Sequence, residues 1–207
     1  MNPEMMKNIR ENHAQWDNPQ TWETMYNKGN AWGDETFMKG ILEKYFYPHK
    51  PVFKNVFEIA VGYGRLTEQI IDKAKLYIGI DLAQCCVDFC NSKFAGKGIF
   101  FTTDGVTIPV ENVKFDLIIS WDSMVHMDRE IIKNYLRDMK GLLSDDGACF
   151  LHHFSGKGNG ATGWRSNMTK DLMIAYCKEL GYAIEHMYDL NLNPDYTDCI
   201  TLLKHEV

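Results

Sequence analysis

At 207 residues the chain is long enough for one α/β domain with a full core and too short for two catalytic domains. With 22 Lys and Arg against 28 Asp and Glu, the formal net charge of −6 argues against a nucleic-acid partner held by phosphate neutralisation. A composition of 45% hydrophobic and 13% aromatic residues excludes disorder as the main state.

The start, Met1 to Asn8, is polar and has no apolar core of signal-peptide length, and nothing later approaches a membrane-spanning run, so a cytoplasmic protein without a membrane span is expected. The first fifty residues read as a helical, aromatic prefix, with Trp16, Trp22, Tyr26, Trp32, Phe37, Tyr45, Phe46 and Tyr47 interleaved with charges and closed off by Pro48 and Pro51. From Asn55, short apolar runs at 56–61, 76–80, 99–102, 115–120 and 148–154 alternate with helix-spaced stretches at 66–73, 83–94, 129–143 and 170–180. That alternation predicts a parallel sheet covered by helices on both faces. After Gly181, runs at 182–189 and 198–204 are separated only by a turn region at Pro194-Asp195, which predicts an antiparallel hairpin at the end of the sheet. A single domain over 1–207 is expected, with a helical prefix at 1–50 and an α/β core at 51–207. The six cysteines, Cys85, Cys86, Cys90, Cys149, Cys177 and Cys199, form no C-x-x-C pair and read as reduced, mostly buried thiols. Cys86 and Cys90, one helical turn apart, read as packing rather than as soft-metal ligands.

The stretch Glu58-Ile59-Ala60-Val61-Gly62-Tyr63-Gly64-Arg65 ends an apolar strand in a Gly-x-Gly turn that runs into a helix, where backbone can approach a nucleotide-type ligand closely. About 20 residues on, Asp81 closes the next strand and is placed to accept from ribose hydroxyls. A dinucleotide fingerprint needs a third glycine where Thr67 stands, so a diphosphate is poorly accommodated. Thr103-Asp104-Gly105 follows the third strand, with Asp104 placed to receive the exocyclic amine of adenine. Glu58, Asp81 and Asp104 would together surround the ligand with negative charge, which suits a sulfonium cation. Taken singly, Asp104-Gly105 also reads as an ordinary turn and Asp81 as a helix N-cap.

These stretches, with Gly79-Ile80-Asp81-Leu82, Phe115-Asp116-Leu117-Ile118-Ile119-Ser120 and Leu142-Leu143-Ser144-Asp145-Asp146-Gly147, resemble the class I S-adenosylmethionine-dependent methyltransferases in identity and order. Ala60 departs from the pattern, since the family often has a glycine there. The resemblance implies a Rossmann-like, seven-stranded, mostly parallel sheet with an antiparallel last strand. It implies S-adenosylmethionine as cofactor and S-adenosylhomocysteine as product. It also implies cofactor contacts from Glu58, Ala60, Gly62, Gly64, Arg65, Asp81, Leu82, Asp104, Gly105 and Trp121, and Trp32 of the prefix, beside Gly29 and Gly33, joins them as a candidate.

Methyl transfer to a hydroxyl calls for a base. The fourth strand delivers Trp121-Asp122-Ser123-Met124-Val125-His126 at its carboxyl end, so His126 is the first candidate, with Asp122 to orient it. His152 and His153 end the next strand, and alternation should turn one of them to the ligand side; His153 is the second candidate base and His152 a substrate contact. A metal held by Asp122, His126 and His153 ranks below a metal-free site because no short-spaced ligand motif supports it. The loop at 155–163 leads to Trp164-Arg165, where Arg165 could pair an anionic group of a substrate, and Thr169 or Asn167 should cap the following helix. Asp198 reads as a residue that merely opens the last strand, and Tyr26 as a residue that stacks on a sugar.

The Asp122-Ser123-Met124-Val125-His126 stretch, the histidine pair and Arg165-Ser166 also resemble bacterial sugar and surface-glycan methyltransferases, although Phe154 and Ser155 depart from that pattern. The expected activity is O-methylation of a small, sugar-like acceptor (a sugar, sugar nucleotide or glycan precursor) by a monomer or homodimer. The alternatives are a small-molecule N-methyltransferase and a non-catalytic module that binds the cofactor. A dehydrogenase is disfavoured by Thr67 and by the absence of a Tyr-x-x-x-Lys pair.

Overall fold

The computed structural model describes residues 2–27, 35–161 and 164–206. Seven strands form one sheet: β1 (Asn55–Ile59), β2 (Leu76–Asp81), β3 (Ile99–Thr102), β4 (Phe115–Ser120), β5 (Leu143–Gly158), β6 (Tyr182–Leu190) and β7 (Tyr196–His205). Their spatial order is β3-β2-β1-β4-β5-β7-β6. The first five strands pair in parallel, and β7 runs antiparallel between β5 and β6. The expected sheet and its closing hairpin are therefore present.

Both faces of the central strands are buried, which is why those strands read as continuous apolar runs. Phe57, Ile59, Ile80, Ile118 and Leu151 face one core layer, and Val56, Tyr77, Leu117, Ile119 and Phe150 face the other. The first layer is covered by α6 (Arg129–Leu142) and α7 (Lys170–Leu180). The second is covered by α5 (Gln84–Lys93) and by a π-helical turn, Leu42–Phe46, that continues α3 (Glu35–Ile41). The stretch expected to be helical at 66–73 is a short α4 (Thr67–Ile70) followed by a 3-10 turn, Ile71–Lys73.

Helix ends follow local chemistry. Thr169 accepts from Leu172 N at 3.1 Å and caps α7, which stops at Gly181 in the left-handed region. Asn167, the other candidate cap, instead accepts from Arg129 N and donates to Asp128, the cap of α6. β5 begins five residues earlier than its apolar run, because a register shift between Phe115 and Leu117 lets Leu143 pair with Phe115 before the regular ladder resumes. It also continues to Gly158, so the expected loop at 155–163 is partly strand.

The prefix supplies α1 (Pro3–Trp16) and α2 (Pro19–Asn27), which lie over the carboxyl ends of the sheet. On α1, Met5, Asn8, Ile9, Asn12 and Trp16 share one face at helical spacing. Asn8 and Asn12 both donate to the carbonyl of His126, and Asn8 accepts from Asp128 N. Asp17 accepts from Cys85 N at the start of α5, and that bond, against the opposing effect of burial, holds its carboxyl below the usual range. These polar contacts fix the prefix to two loops at once. Among the described residues no helix is long and apolar enough to cross a membrane.

Candidate active site

Under α1 and α2, at the carboxyl ends of β1 to β4, lies a cavity of about 980 Å3 counted out to its mouth, within the usual range of small-ligand sites. The turn after β1 forms its floor. Ala60 has φ 60°, Gly62 has φ 52° and Gly64 has φ 74°, so the chain coils tightly enough for Ala60 N and Val61 N both to reach the carbonyl of Ile80. A Cβ on Gly62 would stand 2.8 Å from the Trp22 ring, and one on Gly64 would stand 2.5 Å from Phe94. Gly62 thus lets a prefix tryptophan lie on the turn, whereas Gly64 serves helix packing and does not line the cavity. Trp22 also stacks on Tyr63, with ring centroids 4.9 Å apart and planes 10° apart.

Thr67, which stands in place of a third glycine, has a role of its own. It donates to Glu58 Oε2 at 2.5 Å, as does the Tyr77 hydroxyl at 2.5 Å. Burial pushes the Glu58 carboxyl up to about 8 despite these two bonds, so at neutral pH Glu58 is mostly protonated. Asp81 is also buried, and burial raises it to about 6 against the pull of backbone N–H donors. Its Oδ2 accepts from Gly62 N and its Oδ1 from Ala83 N, both at 2.8 Å. Asp81 is therefore not the cap of α5, which is Ala83 without a side-chain bond; it joins the two loops that bound the cavity.

Asp104 corrects the expected ring of three acids. Its carboxylate accepts from Val106 N and Thr107 N at 2.8 Å and from the Thr107 hydroxyl, the turn alternative, and it does not line the cavity. Burial pushes its carboxyl up, but these bonds outweigh burial and hold it below the usual range. Thr103 and Gly105 on either side do line the cavity. The acids that line the cavity are thus Glu58, Asp81 and Asp122, the last paired with Arg65.

On the other side of the cavity, Asp122 has φ 53°, and its Oδ2 meets Arg65 Nη2 at 3.1 Å. It pairs with Arg65 and has no hydrogen bond to His126, so orientation of that ring comes from elsewhere. His126 Nδ1 lies 2.8 Å from the carbonyl of Trp164, which can only accept; Nδ1 therefore carries the proton and the lone pair sits on Nε2. The ring clusters with Trp16 and Trp164, with centroids 5.6 and 5.3 Å away, and desolvation lowers its pKa below the ordinary histidine value. Trp121 lines the cavity with its indole Nε1 buried and, among the described residues, without a hydrogen-bond partner.

Neither residue of the histidine pair on β5 reaches the cavity. His153 is fully buried, with Nδ1 at 2.8 Å from Phe154 O and Nε2 at 2.8 Å from the Thr201 hydroxyl, and desolvation lowers it to about 4. The metal set of Asp122, His126 and His153 therefore does not converge. His152 is also fully buried: it stacks on Trp121 at 4.2 Å, and its Nδ1 accepts from Asp122 N at 3.1 Å. Both histidines lie within the sheet and not at its end, because β5 continues alongside β7 as far as Gly158. Arg165 is turned inward onto Asp198, with Nε to Oδ1 at 2.9 Å and Nη2 to Oδ2 at 2.5 Å, and is not on the cavity wall. Asp198 is thus a buried partner of Arg165, and not simply the opening residue of β7. Trp32 lies outside the described residues, as does the side chain of Tyr26. Sequence reasoning missed Asn8, Asn12 and Trp22. The available signal was amides sitting on the apolar stripe of α1.

Residues 56–147 match the methyltransferase domain family. Among solved structures, the magnesium protoporphyrin IX methyltransferase ChlM from Synechocystis, with S-adenosylhomocysteine bound, is 14% identical over 95% of this chain and 99% of that chain, with a TM-score of 0.74. The N-methyltransferase NodS from Bradyrhizobium japonicum, also with S-adenosylhomocysteine, is 13% identical over 97% and 99%, at 0.74. A TehB-like SAM-dependent methyltransferase from Corynebacterium glutamicum is 15% identical over 90% and 95%, at 0.66. No curated protein sequence matches. Strand order, the turn after β1, the acid that closes β2 and the domain match together define a class I S-adenosylmethionine-dependent methyltransferase. Residues 56–147 thus carry a methyltransferase domain, which makes the chain an enzyme with S-adenosylmethionine as its cofactor.

Proposed function

We propose that this enzyme methylates a hydroxyl of a small, sugar-like acceptor, with His126 as the general base. The observation that carries the proposal is the His126 Nδ1 contact with the Trp164 carbonyl, which leaves a basic Nε2 on a ring that lines the cavity. The lowered pKa keeps that ring neutral near pH 7 and able to take a proton.

The residues present fit the cofactor. Asp81 offers a carboxylate at the end of β2, Gly62 lines the cavity with backbone alone, and Trp121 Nε1 is an unmet donor that a ligand can satisfy. Glu58, Leu82 and Arg65 complete the wall that would hold it. When bound, S-adenosylmethionine supplies an electrophilic methyl group on a sulfonium. The chain binds and orients both reactants, excludes water beneath α1 and α2, and holds His126 for proton removal. Trp16, which lines the cavity beside His126, offers an aromatic face on which the apolar side of a sugar stacks.

The test is calorimetric titration with S-adenosylmethionine, S-adenosylhomocysteine and NAD, followed by screening of sugars, sugar nucleotides and amines for a mass gain of one methyl. His126→Ala is expected to keep S-adenosylhomocysteine affinity within about twofold and to lower turnover about a hundredfold, as for loss of a positioned base. Unchanged turnover removes His126 from that role. Methylation of amines alone replaces the hydroxyl reading with N-methylation.

A further inference from the structure

The side chains behind the cavity wall converge on one carboxylate. Asp198 is 1% exposed, next to a cavity it does not line. On one side it holds the guanidinium of Arg165 with both oxygens, at 2.9 and 2.5 Å, and that guanidinium lies over the Tyr196 ring at 4.4 Å. Such a two-pronged contact fixes direction as well as distance. Arg165 follows Trp164, whose carbonyl meets His126 Nδ1 at 2.8 Å, and the flanking backbone is tied by Arg165 N to Gly160 O and Ser166 N to Val125 O, both 2.7 Å. On its other side, Asp198 Oδ2 lies 3.5 Å from His152 Nε2, which makes no hydrogen bond among the described residues. His152 Nδ1 accepts from Asp122 N. That bond holds the backbone of Asp122 in a left-handed conformation unusual for a residue with a side chain, and this turn presents the Asp122 carboxylate to Arg65 in the cavity.

We propose that Asp198 is a positioning residue for methyl transfer: through Arg165 it fixes the Trp164 carbonyl that orients His126. A cavity group from the loop after β4 is thereby set by one buried residue on β7, a strand distant in sequence. Its part in methyl transfer rests on His126 being the base, and the test separates the two claims.

The closing experiment uses the full chain with S-adenosylhomocysteine and reads the tautomer of His126 by nitrogen NMR, the resonance being assigned by its loss in His126→Gln. In the wild-type protein the Nδ1–H form dominates. In Asp198→Asn and in Arg165→Lys, which keeps the charge but not the two-pronged contact, the Nε2–H form is expected to become populated. Turnover should fall about tenfold or more, the scale expected when a reacting group is misplaced. Affinity for S-adenosylhomocysteine should stay within twofold. If Asp198→Asn does not fold, Arg165→Lys decides. An unchanged tautomer ratio overturns the proposal, even if His126→Ala is inactive. A shifted ratio with turnover intact in both Arg165→Lys and His126→Ala leaves the positioning geometry standing and overturns the role of His126 as base.

Discussion

Glu58→Gln should make the protein's stability much less sensitive to alkaline pH. In the wild type the Glu58 carboxyl is buried on β1 with a pKa raised from 4.5 to about 8, burial being the dominant cause. A folded-state pKa above the unfolded one means that the folded protein binds the proton more tightly. Stability is then greatest at acid pH and falls as pH rises from about 4.5 to about 8. The rise corresponds to about 5 kcal/mol at roughly 1.4 kcal/mol per tenfold change in proton affinity. Glutamine keeps the size and one oxygen able to accept from Thr67 and Tyr77, but cannot ionise. Urea unfolding of the ligand-free proteins followed by tryptophan fluorescence at pH 5, 7 and 8.5 measures the effect. Asp81, raised to about 6, produces a smaller fall over a lower window in both proteins, so the difference between them isolates Glu58. The two stability curves should diverge by several kcal/mol between pH 5 and 8.5. Parallel curves would refute the assignment of a buried, protonated carboxyl.

Three further outcomes are expected. Ala60→Gly should stabilise the protein by about 0.5–1 kcal/mol, because φ 60° is strained for alanine and the strain relieved exceeds the added freedom of the unfolded chain; a lower urea midpoint contradicts this. Asp104→Ala should destabilise by about 1–2 kcal/mol through loss of its bonds to Val106 N and Thr107 N, with S-adenosylhomocysteine affinity unchanged; a tenfold loss of affinity by calorimetry would return Asp104 to the cofactor site. Asp81→Asn should weaken S-adenosylhomocysteine binding about ten- to hundredfold, since an amide cannot accept at both oxygen positions that Gly62 and Ala83 use, and normal affinity would remove Asp81 from the site.

Periodicity carried the architecture well for a physical reason. Strands buried on both faces must be apolar throughout, and the helices that cover them must carry a stripe, so Phe115–Ser120 and Arg129–Leu142 announce themselves locally. The bounds of β5 did not, because Leu143 enters the ladder through a register shift set by its neighbour β4. Glu58, Gly62 and Asp81 were legible because backbone geometry at the turn and at the strand end demands those residue types at that spacing.

What only tertiary structure decided is which polar side chains face the ligand. A carboxylate next to a glycine looks the same in sequence whether it meets a cofactor or, like Asp104, its own loop. The histidines of β5 turned inward because that strand continues to Gly158 beside β7, which, some fifty residues later, supplies Thr201 and Asp198 as their neighbours. Arg165 pairs within the protein for the same reason, and Trp22 reaches the turn after β1 only once the prefix has folded over the sheet. The sequence alone determined the fold and the kind of cofactor, because both depend on local backbone requirements. The direction of each polar group at the acceptor side depends on contacts between segments far apart in the chain, and only the assembled sheet and its roof bring those segments together.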